Sequence, residues 1–313
     1  MAAPLRRVSA PPPEPPAPIT PGPIRYLLDL LRPRPALRKW LMAGPVGLWL
    51  LLFQGVPLVL ILVMSFASRT GTGAIKYDFT VDNYVRFAEP LYLSILVKSI
   101  AVALGVTLIA LLVGYPLAYF IATQPPEKRT LWLFLVIVPF WTSMLIRTYG
   151  WIFLLRGNGL INNVLMGLGL TDQPLNLLHT QGAAMLGLVY MLLPFMVLPI
   201  YTSVEKLDGS LIRAAYDLGA RPVRTFFSVV MPLTMPGVAA GSVLVMIPSI
   251  GLFYVADLLG GAKTVLIGNL IQNQFRQAND WPFGSAVSVI LAALTMVLIF
   301  LYVRSGGKEE DLL

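Results

Sequence analysis

Few side chains in this sequence can make or break a covalent bond. There is one histidine, His179, and there is no cysteine. A catalytic or metal centre needs several convergent His, Cys, Asp or Glu groups, so a lone loop histidine reads as an ordinary polar residue. The lack of cysteine excludes disulfides, thiolate metal sites and a cysteine nucleophile. The carboxylates fall between apolar runs or at their ends, so no bound metal or cofactor is expected. What remains is noncovalent chemistry. Arg147 stands inside a long apolar run, where a cation is costly and must face a cavity or a partner. Asp257, at the end of another run, is the candidate partner within the chain. An acceptor on a second subunit and a gating role are the other readings. Trp141, Tyr149 and Tyr254 lie on the same runs, and an aromatic face attracts an ammonium group by roughly 0.5–2 kcal/mol. Trp151 reads as part of an interfacial aromatic belt. Trp141 stays open between the belt and a cavity lining. Asp280 and Trp281 either shape a cavity mouth or cap and anchor a helix.

The elements that must position these residues follow from composition. Of 313 residues, 57% are hydrophobic and 12% charged, with a mean hydropathy of +0.75. Soluble domains carry about 25% charged residues, so this chain has too little charge to cover a water-facing surface. A bilayer is its solvent, and the fold class is an all-α integral membrane protein. The net charge of +8 does not indicate nucleic acid, because the basic residues are not gathered into an aromatic-laced domain.

Residues 1–37 form a Pro-rich, Arg-containing tail (PPPEPPAP, then LRPRPALRK), read as a disordered arm since proline blocks helix and sheet pairing. A secretory signal has an apolar region of about 7–15 residues. The run from Trp40 to Ala67 is longer, and it reads as the first membrane span. A helix needs about 20 apolar residues to cross. Five more runs qualify, near 99–123, 131–155, 182–201, 235–256 and 283–303, within a membrane domain of residues 38–305 that leaves a short tail at 306–313. Pro57, Pro116, Pro139, Pro194 and Pro248 lie inside spans, where they kink helices for packing or movement. Lys and Arg number 15 on the segments facing one side and 7 on the other, which predicts both termini in the cytoplasm. Counted from that side at about 1.5 Å per residue, Arg147 falls in the outer half of its span.

Residues 202–234 join the fourth and fifth spans and predict two short amphipathic helices. In the first, near Asp208–Leu218, the residues Leu211, Ala214, Ala215 and Leu218 recur at helical spacing. Asp208 suits an N-cap and Gly219 a left-handed stop. The second starts at Pro222, a first-turn residue, and carries Phe226, Phe227 and Val230. Such a pair either docks a cytoplasmic partner or lies among lipid headgroups.

Arg213-Ala214-Ala215, Gly219 and Val229-x-Met231-Pro232 match the spacing E-A-A-x3-G-x9-I-x-L-P, and this loop resembles the EAA motif of ABC importer permeases. Arg stands for the first Glu, which removes any salt bridge that Glu makes. Asp217 and Ala220 fall within the same stretch. Pro139–Leu165 (PFWTSMLIRTYGWIFLLRGNGLINNVL) and Leu258–Ser288 resemble spermidine/putrescine importer permeases. The resemblance implies a type I importer arrangement of about six helices in a bacterial plasma membrane. It implies that the EAA loop docks an ATPase, which alone uses ATP and Mg, and that the pathway works by alternating access. The implied partners are a second, different permease, two ATPase subunits, an extracytoplasmic solute-binding protein and membrane lipid. The same branch carries phosphonates, opines and thiamine. For a polyamine, itself a cation, Arg147 would repel. A secondary transporter would carry intramembrane carboxylates or internal repeats, and neither is visible.

Overall fold

A computed structural model describes residues 35–70, 74–261 and 265–304. Two compact units meet inside one helix, the first ending at Leu58 and the second starting at Val59. In chain order the helices are α1 (Pro35–Leu50), α2 (Val56–Ser65), α3 (Asp82–Phe87), α4 (Pro90–Thr123), α5 (Pro126–Ile137), α6 (Met144–Leu155) and α7 (Leu160–Gly167). Then come α8 (Gln181–Glu205), α9 (Gly209–Asp217), α10 (Pro222–Thr225), α11 (Met231–Gly251), α12 (Phe253–Gly260), α13 (Ile267–Arg276) and α14 (Trp281–Arg304). A two-stranded antiparallel ribbon pairs Ser68–Arg69 with Ile75–Lys76. The tails read from the sequence lie outside the described residues, except that Pro35 already opens a helix where an extended arm is expected.

Among the described residues, five helices are long and apolar enough to cross a membrane: 43–65, 90–123, 181–205, 222–251 and 281–304. A sixth crossing exists only if a broken pair counts as one span. The pair is Pro126–Trp141 and Met144–Gly167, bent by 92°, where an unbroken span over 131–155 is expected. The fifth span also departs from expectation. It starts at Pro222 rather than near 235 and stops at Gly251, and Leu252 (φ −76, ψ 73) separates it from α12. The second span begins nine residues early, at Pro90.

The core of the second unit is α8, the most deeply buried span, packed between α4 and α11. Lipid tails are as apolar as any side chain, so helices in a membrane associate by close packing and small residues. Here Gly237 and Gly241 form a Gly-x-x-x-Gly face on α11. A Cβ at Gly237 would lie 2.5 Å from the Pro199 carbonyl, and one at Gly241 would lie 3.1 Å from that of Met196. The α8 and α11 backbones touch there. One buried polar tie crosses the same bundle, the Tyr115 and Thr234 hydroxyls at 2.8 Å.

Outside the bundle, Arg86 on α3 meets Asp280 at 2.7 Å. Its guanidinium lies 4.1 Å from the Phe283 ring centroid. Asp280 is buried and also accepts the Phe283 N–H at 3.2 Å. Asp280 thus caps α14, and it also lines a cavity of about 490 Å³ with Arg86 and Glu89.

Candidate functional site

Two regions carry the residues singled out from the sequence. The first is the segment between the fourth and fifth spans. The Asp208 carboxylate accepts the Ser210 N–H at 2.8 Å and its hydroxyl at 2.6 Å, which caps α9. The Ser210 bonds hold this exposed carboxyl below its usual range, with the nearby Arg213 charge a smaller contribution. At the other end, Gly219 takes φ +79. Its N–H bonds the Tyr216 carbonyl at 2.9 Å, and the Ala220 N–H bonds that of Ala215 at 3.0 Å. These two bonds are the Schellman pattern, which satisfies the last carbonyls of a helix and turns the chain sharply.

The second half differs from expectation. Pro222 opens a helix as predicted, but α10 is no separate element. It runs through a π turn at Phe226–Val230 into α11, so the fifth span is continuous from Pro222. Proline explains the π turn: Pro232 has no N–H to give to an α-helical bond, and the ladder shifts register just before it. Phe226 packs edge-on to Tyr115, with centroids 5.5 Å apart, and seats this root on the bundle. Val230 is buried, whereas Val229 is half-buried and Pro232 exposed.

The α9 stripe is left uncovered. Leu218 is 89% exposed, Leu211 and Ala214 are exposed, and only Ala215 is half-buried. Tyr216, Val223 and Phe227 add to the apolar surface. Arg213 and Asp217 are exposed, Ala220 is half-buried, and among the described residues neither charge forms an ion pair. α9 is thus capped at both ends and carries an uncovered apolar stripe.

The second region is the corner where the third span breaks. Pro139 again removes a backbone donor, a 3₁₀ turn follows at Val138–Trp141, and Ser143 is extended. The Thr142 hydroxyl donates to the Pro139 carbonyl at 2.7 Å and holds the turn. Arg147 therefore lies beyond a right-angle bend, and the depth counted along a straight helix does not apply to it. Its guanidinium stands 5.1 Å from the Phe140 ring centroid. Nε and Nη1 are buried and find no acceptor among the described residues. The expected Arg147–Asp257 pair is not formed, because the Asp257 carboxylate takes the Asn269 side-chain amide instead. Asn269 also donates to the Phe253 carbonyl at 3.0 Å and accepts the Leu266 N–H at 3.0 Å, which fixes α12 against α13. Asp257, Asn269, Gln272, Asn273 and Gln277 line a polar cavity of about 370 Å³. The Tyr254 hydroxyl, one turn from Asp257, meets Met191 Sδ at 3.7 Å. Trp141 is 75% and Tyr149 59% exposed on the corner. Trp151 is half-buried and packs edge-on to Tyr190 at 5.5 Å.

His179 sits in a loop with φ +61, its N–H bonded to the Leu259 carbonyl at 2.8 Å. Among the described residues no group of His, Cys or carboxylates converges to hold a metal.

The structure thus combines a bundle of long apolar helices, an uncovered amphipathic helix on one connecting segment and a cavity lined by one carboxylate and four carboxamides. The sequence pattern of binding-protein-dependent transport system inner membrane components matches residues 114–306, and the chain belongs to this family. It is 49% identical over 258 residues to the spermidine/putrescine transport system permease protein PotB of Escherichia coli, covering 82% of this chain and 94% of that one. The Haemophilus influenzae protein of the same name is 46% identical, with 82% and 90% covered. The fold is that of a permease of a bacterial ABC transporter that imports alginate, with a TM-score of 0.65 at 18% identity, over 90% of this chain and 98% of that one. As an inner-membrane component of this family, the chain crosses the membrane several times and is not itself an enzyme.

Proposed function

We propose that this chain is the pathway-forming permease subunit of an ATP-driven importer of polyamines, spermidine and putrescine. The observation that carries the reading is the 49% identity, over 82% of this chain and 94% of the relative, to a spermidine/putrescine permease. The bare, Schellman-capped α9 supports the coupling half of the reading, since it offers a rigid knob to an ATPase groove. ATP and Mg act on that ATPase and not here. The remaining partners are a second, different permease, a second ATPase copy and an extracytoplasmic binding protein, with both termini and α9 in the cytoplasm.

Asp257 is the pathway residue with the clearest chemistry. It has no cation partner among the described residues, and it stands in a cavity walled by carboxamides, whose oxygens accept ammonium hydrogens. Tyr254 lies one turn away, and the exposed rings of Trp141 and Tyr149 add cation–π surfaces. Arg147, stacked on Phe140, limits how deep a cation settles. In cells lacking this gene, uptake of labelled spermidine and putrescine at low concentration should fall and return with the gene. The Asp257→Asn variant should assemble normally and raise the concentration needed for half-maximal uptake roughly 10- to 100-fold, the worth of a hydrogen bond to a charged group. Unchanged polyamine uptake in the gene-deleted strain would refute the solute, and phosphonate and thiamine uptake would be measured next.

A further inference from the structure

The end of the bundle that bears the docking helix also carries a charge cluster that the pathway reading does not use. Arg129 lies in the first turn of α5, the near half of the broken span. Its Nε donates to the Gln124 carbonyl at 2.7 Å, and Gln124 caps the end of α4. Its Nη1 donates to Glu205 Oε1 at 3.3 Å, and Glu205 is the last residue of α8. The buried Tyr201, one turn earlier on α8, lies against both charges. One guanidinium therefore joins the ends of three membrane helices.

The position of this joint gives it meaning. Only Lys206 and Leu207 separate Glu205 from the Asp208 cap of α9. Both continue the turn, with Lys206 N–H bonded to the Thr202 carbonyl at 3.3 Å and Leu207 N–H to that of Val204 at 3.1 Å. Leu207 is half-buried against the main core. There is no slack between α9 and Glu205, so a displacement of α9 reaches Glu205 directly.

We propose that Arg129 is a positioning residue that passes the motion of the docking helix to the near half of the broken third span. This rests on the reading of α9 as the ATPase-docking helix. The Glu205 and Arg129 side chains are 42% and 29% exposed, and a partly exposed pair adds little to stability. Its effect is geometric: α5 follows α8 while the pair holds. The corner at Thr142–Ser143, and Arg147 beyond it, then move with the ATPase cycle.

The test uses the complete importer in lipid vesicles, with labelled spermidine delivered by its binding protein, and measures uptake per ATP hydrolysed. Arg129→Gln should retain the ATPase on purification and hydrolyse ATP. Its uptake per ATP should fall by roughly 2- to 30-fold, the range of single substitutions along a coupling route. Arg129→Lys should fall between, since an ammonium lacks the fork that serves the carbonyl and the carboxylate together. Exchanging the charges, with Arg129→Glu and Glu205→Arg in one chain, should recover part of the loss. An unchanged ratio in Arg129→Gln would overturn the proposal, and so would an exchange variant that assembles yet recovers nothing. Loss of ATPase binding in Arg129→Gln would overturn it too, by making the residue part of the assembly surface. Failure of the docking reading itself would show separately, as an ATPase that still binds Gly219→Trp.

Discussion

Gly219 is the residue at which the docking reading is most exposed to test. A Cβ built there meets nothing within 4 Å, yet φ is +79. Replacement by alanine thus brings no clash in the free chain, only the backbone cost of a left-handed L-residue, about 1–2 kcal/mol. Asparagine tolerates this region and should cost less. If the Schellman turn must hold for α9 to enter its partner, the alanine cost appears in full as lost affinity. At about 1.4 kcal/mol per factor of ten, that is roughly 5- to 30-fold. Tryptophan adds a bulky ring on a face that the partner needs and should abolish binding. The assay is titration of the purified ATPase subunit onto permease variants in lipid discs, with thermal stability of each permease measured alongside. The expected order of affinity is wild type, then Asn, then Ala, then Trp, at nearly constant stability. Wild-type affinity in Gly219→Ala, or normal transport by Gly219→Trp, would refute the reasoning.

Two substitutions test the bundle packing and the Arg86–Asp280 pair outside it. Gly237→Leu drives a side chain against the Pro199 carbonyl, which sits 2.5 Å from the built Cβ. Even modest overpacking costs about 1–3 kcal/mol, so the detergent-solubilised protein should melt at a lower temperature; an unchanged Tm would show that the α8–α11 contact yields freely. Asp280→Asn removes the counter-charge of Arg86 at a 7% exposed position. Losing one partner of a buried pair costs about 3–5 kcal/mol, reduced to roughly 1–3 kcal/mol because Arg86 is 41% exposed and water screens it. A Tm equal to wild type would show the pair to be dispensable.

Much of this architecture is legible in the amino-acid sequence because membrane crossing is a matter of length and hydropathy. Five apolar runs are long helices, and the caps of α9 at Asp208 and Gly219 stand where their residue types predict. The break in the third span is less legible. Pro57, Pro116, Pro139, Pro194 and Pro248 look alike as letters, but Pro116 and Pro194 sit inside unbroken helices. Pro139 precedes a right-angle corner, where Thr142 and Ser143 supply hydrogen-bonding and extended geometry. Hydropathy averaged along a run carries no direction, so it reports the run and not the bend. The Arg147–Asp257 pairing fails for a related reason. Opposite charges on neighbouring spans suggest a bond, but Asn269, brought up by the fold of α13, reaches the carboxylate instead. The Gly237-x-x-x-Gly241 face is present in the letters, yet its partner, a stretch of α8 backbone, leaves no mark in any side-chain pattern.

The touching backbones of α8 and α11 bear on how a push is transmitted. Both roots of the docking segment, Glu205 and Pro222, belong to this one pair of helices. In the proposed importer this pair would act as a single oar with α9 as its handle. A helix of 25 residues is about 37 Å long at 1.5 Å per residue. Tilting such an oar by ~10° sweeps its far blade through about 6 Å, by lever geometry on that length. If α9 docks the ATPase as proposed, a small rocking there gives the opposite end a stroke wider than an ammonium group.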